Sequence, residues 1–579
     1  MVTISKPLSA AQVRTYHAEE FSNARQNYYA QGHDIRGQWH GRLAERWGLS
    51  GDVDEVHMHR LADGHHPLTG ERLVEHQTPR PRPHAQDART KTLEHRAAWD
   101  ATFSAPKSVS LTALVGGDAR VMEAHRASVR VALDETERYV QARIGRNHPA
   151  ETTGRWIAAR FEHDSARPVD GYAAPQLHSH VVIFNVTQRD TGETRALQPR
   201  ELYATQSYAT AIYRSELAAR LAGLGYEIER GASGQPEIRG YSSEYLEASS
   251  PRRRQIEDHL ERAQRRGAGA AQIAAHQTRE SKDQCSHNEM QRRHRALAEA
   301  YGNQPSRVVA AARARAHNGE HHLQQITAAA AVTYARDRNF EREAVVDERT
   351  LVRDALNRSM GDVRIDAIKD DVARRVTERT FIQVAGRPGR PGRLMTTREM
   401  RQLERETVEA MRESQRTQRP LASVVTRQAV QWGSPHLNAP QRHAVDRVLA
   451  TRDRIVALDG VAGVGKTTTL AAVREGAEWE GYRVEGFAPT SRAAQKLAEA
   501  GMPTSTLQQH LTRREPPDDR QKQLFVVDES SLASTRQMHD FLHRLSPQDR
   551  VVLVGDTRQH QAVEAGRPFQ QLQDAGMET

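Results

Sequence analysis

A single cysteine, Cys285, stands in 579 residues. That excludes an intramolecular disulfide framework and a zinc site built from several thiolates. No apolar run approaches the roughly 18 residues that a membrane-spanning helix needs, so membrane insertion is not expected. The opening stretch, MVTISKPLSAAQVRTYHAEEF, lacks the apolar centre of a secretory signal, and a cytoplasmic protein is expected. Aromatic residues are scarce, at 5%, against 27% charged and 37% hydrophobic. With a mean hydropathy of -0.76, that leaves material for packed cores but also much exposed helix and linker. What is plentiful is positive charge. The net charge is +9, with a pI near 9.7. Over this length the excess is mild, and it fits a polyanionic partner or an arginine-rich solvated surface equally well.

The length predicts three or four domains. To about residue 300, strand-like and helix-like segments mix. WDATFSAPKSVSLTALV (99–115) alternates, is rich in β-branched residues and reads as strand. In 118–145, Val121, His125, Val129, Leu133, Thr136, Val140 and Ile144 recur at helical spacing, with Gly145 as a stop. WIAARFEHD (156–164) and QLHSHVVIFNVT (176–187) read as two strands around a loop, and 201–225 as one long helix. From about 250 to 430 the chain is polar and helical in pattern, interrupted by GRPGRPGR (386–393), an exposed turn or linker. From about 436, the runs RIVALDG, YRVEGFAPT, KQLFVVDES and RVVLVGD alternate with helical stretches, the pattern of a parallel sheet with crossover helices.

His178 and His180 lie two apart in an apolar, β-branched run. On a strand they share a face, so both imidazoles can converge on one ion. His163 ends the neighbouring strand, on the face of Ile157, Ala159 and Phe161, and a hairpin-like pairing brings it alongside. Three neutral imidazoles leave coordination positions open, which suits catalysis better than structure. The chain holds 28 histidines, so an isolated H-x-H carries little weight; the third histidine is what raises it.

Tyr16, Tyr28 and Tyr29 sit near the start. A phenol has a pKa of about 10, so attack on a phosphodiester needs a base or a stabilising cation. Asp100 is a carboxylate placed to act as that base or to orient one.

The segments YHAEEF…NYYAQG, WDATFSAPKSVSL and FEHDSARP…PQLHSHVV resemble the signature stretches of the MobF relaxases, the TraI/TrwC type of conjugative transfer proteins. The resemblance covers roughly residues 1–300. It implies an antiparallel-sheet HUH fold and a divalent metal (Mg, Mn or Zn) on His163, His178 and His180. It also implies proton abstraction by Asp100, a first nucleophile at Tyr16, and a second tyrosine group at Tyr28 and Tyr29 that ends transfer. The partners it implies are single-stranded DNA at a transfer origin, relaxosome accessory proteins and a type IV secretion coupling protein. Export to a recipient cell with the DNA would follow.

GVAGVGKT (460–467) satisfies G-x-x-x-x-G-K-[ST] between a strand and a helix. There, backbone N–H groups around Gly460, Gly463, Gly465 and Thr468 cradle phosphates, Lys466 reaches the β/γ-phosphates, and Thr467 holds Mg²⁺ of bound ATP. In FVVDES, Asp528 would hold the Mg²⁺ and Glu529 would activate water. Gln559, in VGDTRQ, is placed to sense the γ-phosphate. Gln441, in LNAPQRHAV, resembles the adenine-contacting glutamine of superfamily 1 helicases, and APTSRAA (488–494) resembles that superfamily's next motif. The order of motifs resembles a RecD-like helicase.

The expected fold is therefore α/β and multidomain. An HUH-type antiparallel-sheet relaxase domain (1–300) precedes a helical accessory or linker region (301–435) and an incomplete P-loop, RecA-like parallel-sheet domain (436–579). The chain stops soon after GDTRQ, so a truncated motor is expected. The expected function is a metal-assisted tyrosine transesterase that nicks DNA, fused to an ATP-binding helicase segment. A rolling-circle replication initiator and a DNA-binding ATPase without nicking are the alternatives. The basic stretches 80–91 and 251–255 are candidate DNA contacts without aromatic platforms.

Overall fold

The computed structural model describes residues 1–16, 37–73, 96–264 except 146, 267, 270, 274, 278, 287–319, 325–513 except 387 and 462, 521–556 and 566–579. The side chains of Tyr16 and His287 are outside that description. The chain divides into two compact units. The first is Met1–Ala335 with Glu348–Val372 and Ala385–Arg393; the second is Arg336–Asp347, Ala373–Val384 and Leu394–Thr579.

The first unit is built on one antiparallel sheet. Its strands are β1 (Val2–Ile4), β2 (Leu8–Ser9), β3 (Gln38–His40), β4 (Arg96–Ser104), β5 (Ala158–Ser165) and β6 (Pro175–Phe184). The order is β1-β4-β6-β5-β3, and β2 also pairs β4. Alternation assigns the two faces. Ile157, Ala159 and Phe161 join Val182 and Phe184 in a core closed by Leu43, Met58 and Val13. Val13 comes from helix α1 (Ala10–Tyr16). Helix α2 (Lys107–Leu114) packs against β6, while α3 (Ala119–Glu137) packs on α4 (Gln206–Gly223), which meets β1.

Three sequence expectations need correction. Only the first half of 99–115 is strand. The chain turns at Pro106 and continues as α2, in which every residue from Ser108 to Leu114 is buried. Ser108, Ser110 and Thr112 alternate with Val109, Leu111 and Ala113, a two-residue period that mimics a strand and leaves no helical stripe. The helix of 118–145 ends at Glu137, and Gln141–Ala142 pairs as strand with Glu151–Thr152. The Glu137 carboxylate accepts backbone N–H from Arg42 (2.8 Å) and Trp156 (2.9 Å), which pins the helix end there. The single helix of 201–225 is two, Pro199–Ala204 and α4, divided at Thr205, whose hydroxyl takes the Glu201 carbonyl (2.9 Å).

The second unit holds a five-stranded parallel sheet: β7 (Ile455–Asp459), β8 (Arg483–Ala488), β9 (Thr504–Thr506), β10 (Gln523–Val527) and β11 (Arg550–Gly555), in the order β7-β11-β10-β8-β9. Both faces are covered, as a parallel sheet requires. Val456, Val526 and Val552 meet α6 (Ala439–Ala450) and α7 (Lys466–Trp479) through Leu449, Leu470 and Val473. Ile455, Phe525, Val527 and Val551 point the other way. They meet Met411 of α5 (Arg398–Glu413) and Met538, Phe541 and Leu542 of α8 (Thr535–His543). A small antiparallel sheet of Val346–Asp347, Leu394–Thr397 and Phe381–Val384 lies inside the stretch read as helical; its residues are few and its apolar runs too short to show. Among the described residues no helix is long and apolar enough to cross a membrane.

Candidate active site and nucleotide site

On β6 the inward row runs Phe184, Val182, His180, His178. The first two are core; the last two carry the same row to the end of the sheet. Pairing with β5 sets Phe161 opposite His180 and His163 opposite His178. The three imidazoles meet: ring centroids are 5.3 Å apart for His163–His178, 5.3 Å for His163–His180 and 5.1 Å for His178–His180.

Two of the outer nitrogens are held, those of His178 and His180. His178 Nδ1 donates to the Gln176 carbonyl at 2.9 Å. His180 Nδ1 donates to Asp100 Oδ2 at 2.7 Å. Carbonyl and carboxylate oxygens only accept, so each Nδ1 carries a proton. Burial first, and then the neighbouring His180, lowers His178 to about 4, so this imidazole is neutral at physiological pH. Three clustered imidazoles, two of them with Nδ1 on an oxygen acceptor, have the donor chemistry that a divalent cation uses.

Asp100 sits on β4 two residues before Thr102, which is paired across from His180. Thr102 Oγ1 donates to Asp100 Oδ2 at 3.3 Å. The other oxygen, Oδ1, is buried with no hydrogen-bond partner among the described residues. Asp100 thus orients His180 with one oxygen and leaves a second for a proton.

Lys107 opens α2 and was passed over as a member of the site. Its Nζ donates to the Pro175 carbonyl at 2.7 Å, at the start of the histidine strand, and burial lowers it to about 7. A lysine set among small and apolar residues in SAPKSVSL was the available signal.

Tyr16 is the last residue of α1, a helix that packs against β4, the strand of Asp100. Tyr28, Tyr29 and Gln559 lie outside the described residues, as does the basic stretch 80–91. Residues 251–255 open the helix Pro251–Arg262, which has no buried residue.

The nucleotide motif spans the end of β7 and the start of α7. Gly463 and Gly465 have φ of 83° and 82°, a region costly for side-chain-bearing residues. Gly465 caps α7, so Lys466, Thr467 and Thr468 form the first turn of a 14-residue helix, where free N–H groups and the dipole favour phosphate. Lys466 Nζ donates to the Gly460 carbonyl at 2.7 Å. Asp528 and Glu529 follow β10, at the same C-terminal edge of the sheet. Asp528 Oδ1 accepts the Glu529 N–H (2.8 Å), and Glu529 takes a left-handed φ of 50°. Gln441 closes a capping box with Asn438 at the start of α6 and donates Nε2 to the Val464 carbonyl (2.9 Å). Gln441 therefore buttresses the phosphate loop directly.

Residues 10–301 match the family model of the TrwC relaxase, and residues 436–579 that of an AAA domain. The multifunctional conjugation protein TraI of Escherichia coli is 34% identical over 294 residues, 49% of this chain and 15% of that protein. The ATP-dependent RecD2 DNA helicase of Deinococcus radiodurans is 37% identical over 129 residues, 21% of this chain and 18% of that protein. The chain thus spans about 15% of the length of TraI. A solved metal-free structure of the conjugative relaxase TrwC in complex with oriT DNA is 30% identical. It covers 52% of this chain and 99% of the other, with a TM-score of 0.44.

Proposed function

The chain belongs to the TrwC relaxase family, and from that premise we propose that it is a conjugative relaxase that nicks single-stranded DNA at a transfer origin. The observation that carries this reading is the convergence of His163, His178 and His180, with two outer nitrogens fixed on Gln176 and Asp100. Relatedness to TraI, a conjugation protein, supports the same process.

His163, His178 and His180 would hold a divalent cation, magnesium, manganese or zinc, which would supply Lewis-acid stabilisation of charge on the scissile phosphate. Tyr16 supplies the nucleophile. Its Oη bonds to phosphorus as the P–O3′ bond breaks, giving a 5′-phosphotyrosine and a free 3′-hydroxyl. Asp100 takes the phenol proton, and that proton, or one from water, ends on the 3′-oxygen. The ester energy is conserved in the new bond, so nicking needs no ATP. Tyr28 and Tyr29 serve a second transesterification that ends transfer.

In the AAA domain, Lys466 and the α7 N-terminus hold the phosphates of ATP. Thr467 and Asp528 hold its Mg²⁺, Glu529 activates water, and Gln559 senses the γ-phosphate. Gln441 orders the loop through the Val464 carbonyl and would contact the adenine base. This domain would serve a RecD-like 5′–3′ helicase activity, in line with relatedness to RecD2. Accessory relaxosome proteins and a secretion coupling protein are the partners this function requires.

His178→Ala tests the reading. Metal-dependent nicking of an origin oligonucleotide is expected to fall below detection while ATP binding is retained. Undiminished nicking would refute the three-histidine site.

A further inference from the structure

The second unit carries another cluster with metal-binding chemistry. His539 and His543 lie one turn apart on α8, so they share a helix face. Their rings stack with centroids 4.0 Å apart. Glu406 reaches them from α5, and its Oε2 is 2.9 Å from His539 Nε2. One ligand atom from each residue lies within 4.8 Å of the other two.

The outer nitrogens are again committed. His539 Nδ1 faces Asp540 Oδ1 at 3.0 Å, and His543 Nδ1 faces the His539 carbonyl at 2.9 Å. His539 Nε2 faces Glu406 Oε2 at 2.9 Å, and the His543 ring stacks beside it, so two imidazoles and a carboxylate gather at one place.

We propose that Glu406, His539 and His543 bind a zinc ion that fastens α5 to α8. Two imidazoles and one carboxylate match zinc's preference for nitrogen and oxygen donors. Donors around tetrahedral zinc are about 3.3 Å apart, given bonds of about 2.0 Å. Seating the ion would draw the exposed His543 imidazole off the His539 carbonyl and toward the other two donors. His539 is 15% exposed and Glu406 32%, so the site opens to solvent and a water completes the coordination. The H-x-x-x-H spacing is that of helical zinc motifs. The acidic residue within it, Asp540, turns to His539 Nδ1 and orients that ligand, leaving no base for hydrolysis. The zinc is therefore a clamp. It acts on the helix that begins six residues after Glu529, at Thr535.

The test uses the full chain with His178→Ala, which removes a ligand from the relaxase site, stripped of metal and titrated with Zn²⁺ against a chromophoric chelator. It is expected to bind one equivalent more tightly, by at least tenfold, than the same chain carrying His543→Ala or Glu406→Gln. Zinc should also raise its melting temperature, and either added substitution should abolish that rise. His543 is exposed, and Glu406→Gln preserves shape, so both variants keep the fold; far-ultraviolet circular dichroism verifies it. Zinc stoichiometry, affinity and melting shift unchanged by both substitutions, or no zinc bound by the parent at micromolar concentration, would overturn the proposal. The cluster would then be a metal-free hydrogen-bond contact between α5 and α8.

Discussion

His180 presents Nδ1 to Asp100 Oδ2 at 2.7 Å, while the second oxygen of the same carboxylate is buried and lacks a partner among the described residues. One side chain is thus placed for two tasks. Oδ2 fixes the tautomer of His180, and on the proposed reading Oδ1 takes a proton.

Asp100→Asn separates the tasks. The amide oxygen still accepts from His180, but the charge and the basic oxygen are gone. Metal affinity is expected to fall by less than the roughly 10- to 100-fold that losing an outer partner outright costs. Nicking rates measured against Mn²⁺ concentration distinguish the outcomes. Recovery of the full rate at saturating metal would confine Asp100 to orienting His180. A rate that stays low at saturation is the expected result and reports the lost base.

Buried imidazoles predict acid sensitivity. Burial lowers His178 and His294 to about 4, against about 6.5 in an unfolded chain. Between those values the unfolded state binds more protons, so stability is full above about 6.5 and declines as pH falls toward 4. Lys107, lowered to about 7, adds a second window in which stability rises from pH 7 toward its ordinary 10.5. Melting of the metal-free protein at pH 7 and pH 5 checks the first window; equal melting temperatures would contradict it.

Gly465→Ala tests the phosphate loop. The residue has φ of +82°, and an added Cβ would lie 2.3 Å from Gln441 Nε2. The substitution is expected to cost about 1 kcal/mol or more and to displace Gln441. ATP binding should be lost and nicking unchanged. Retained ATP affinity, measured by calorimetry, would show that the loop tolerates the displacement.

Much of the site was legible because strand periodicity is simple. Phe184, Val182, His180 and His178 share a face by alternation alone, and the pairing of His163 with His178 follows from a hairpin-like antiparallel register. The P-loop was legible because its glycines, lysine and flanking elements occupy adjacent positions. Helix α2 was not, since Ser108–Leu114 is buried on every side and its residues carry no stripe. Nor was the anchoring of Gln441 on Val464, which depends on how α6 meets the loop. The pairing of His539 with Glu406, 133 residues apart, is set only by packing of α5 on α8.

The most direct measurement is covalent capture. The protein is mixed with single-stranded oligonucleotides tiled across its own replicon, with and without Mg²⁺ or Mn²⁺, and resolved on denaturing gels. The account predicts a metal-dependent, heat-stable protein–DNA adduct that is lost in Tyr16→Phe. An adduct surviving that change would move the first nucleophile to Tyr28 or Tyr29. The absence of an adduct on every oligonucleotide, with the fold intact and metal bound, would contradict the relaxase reading.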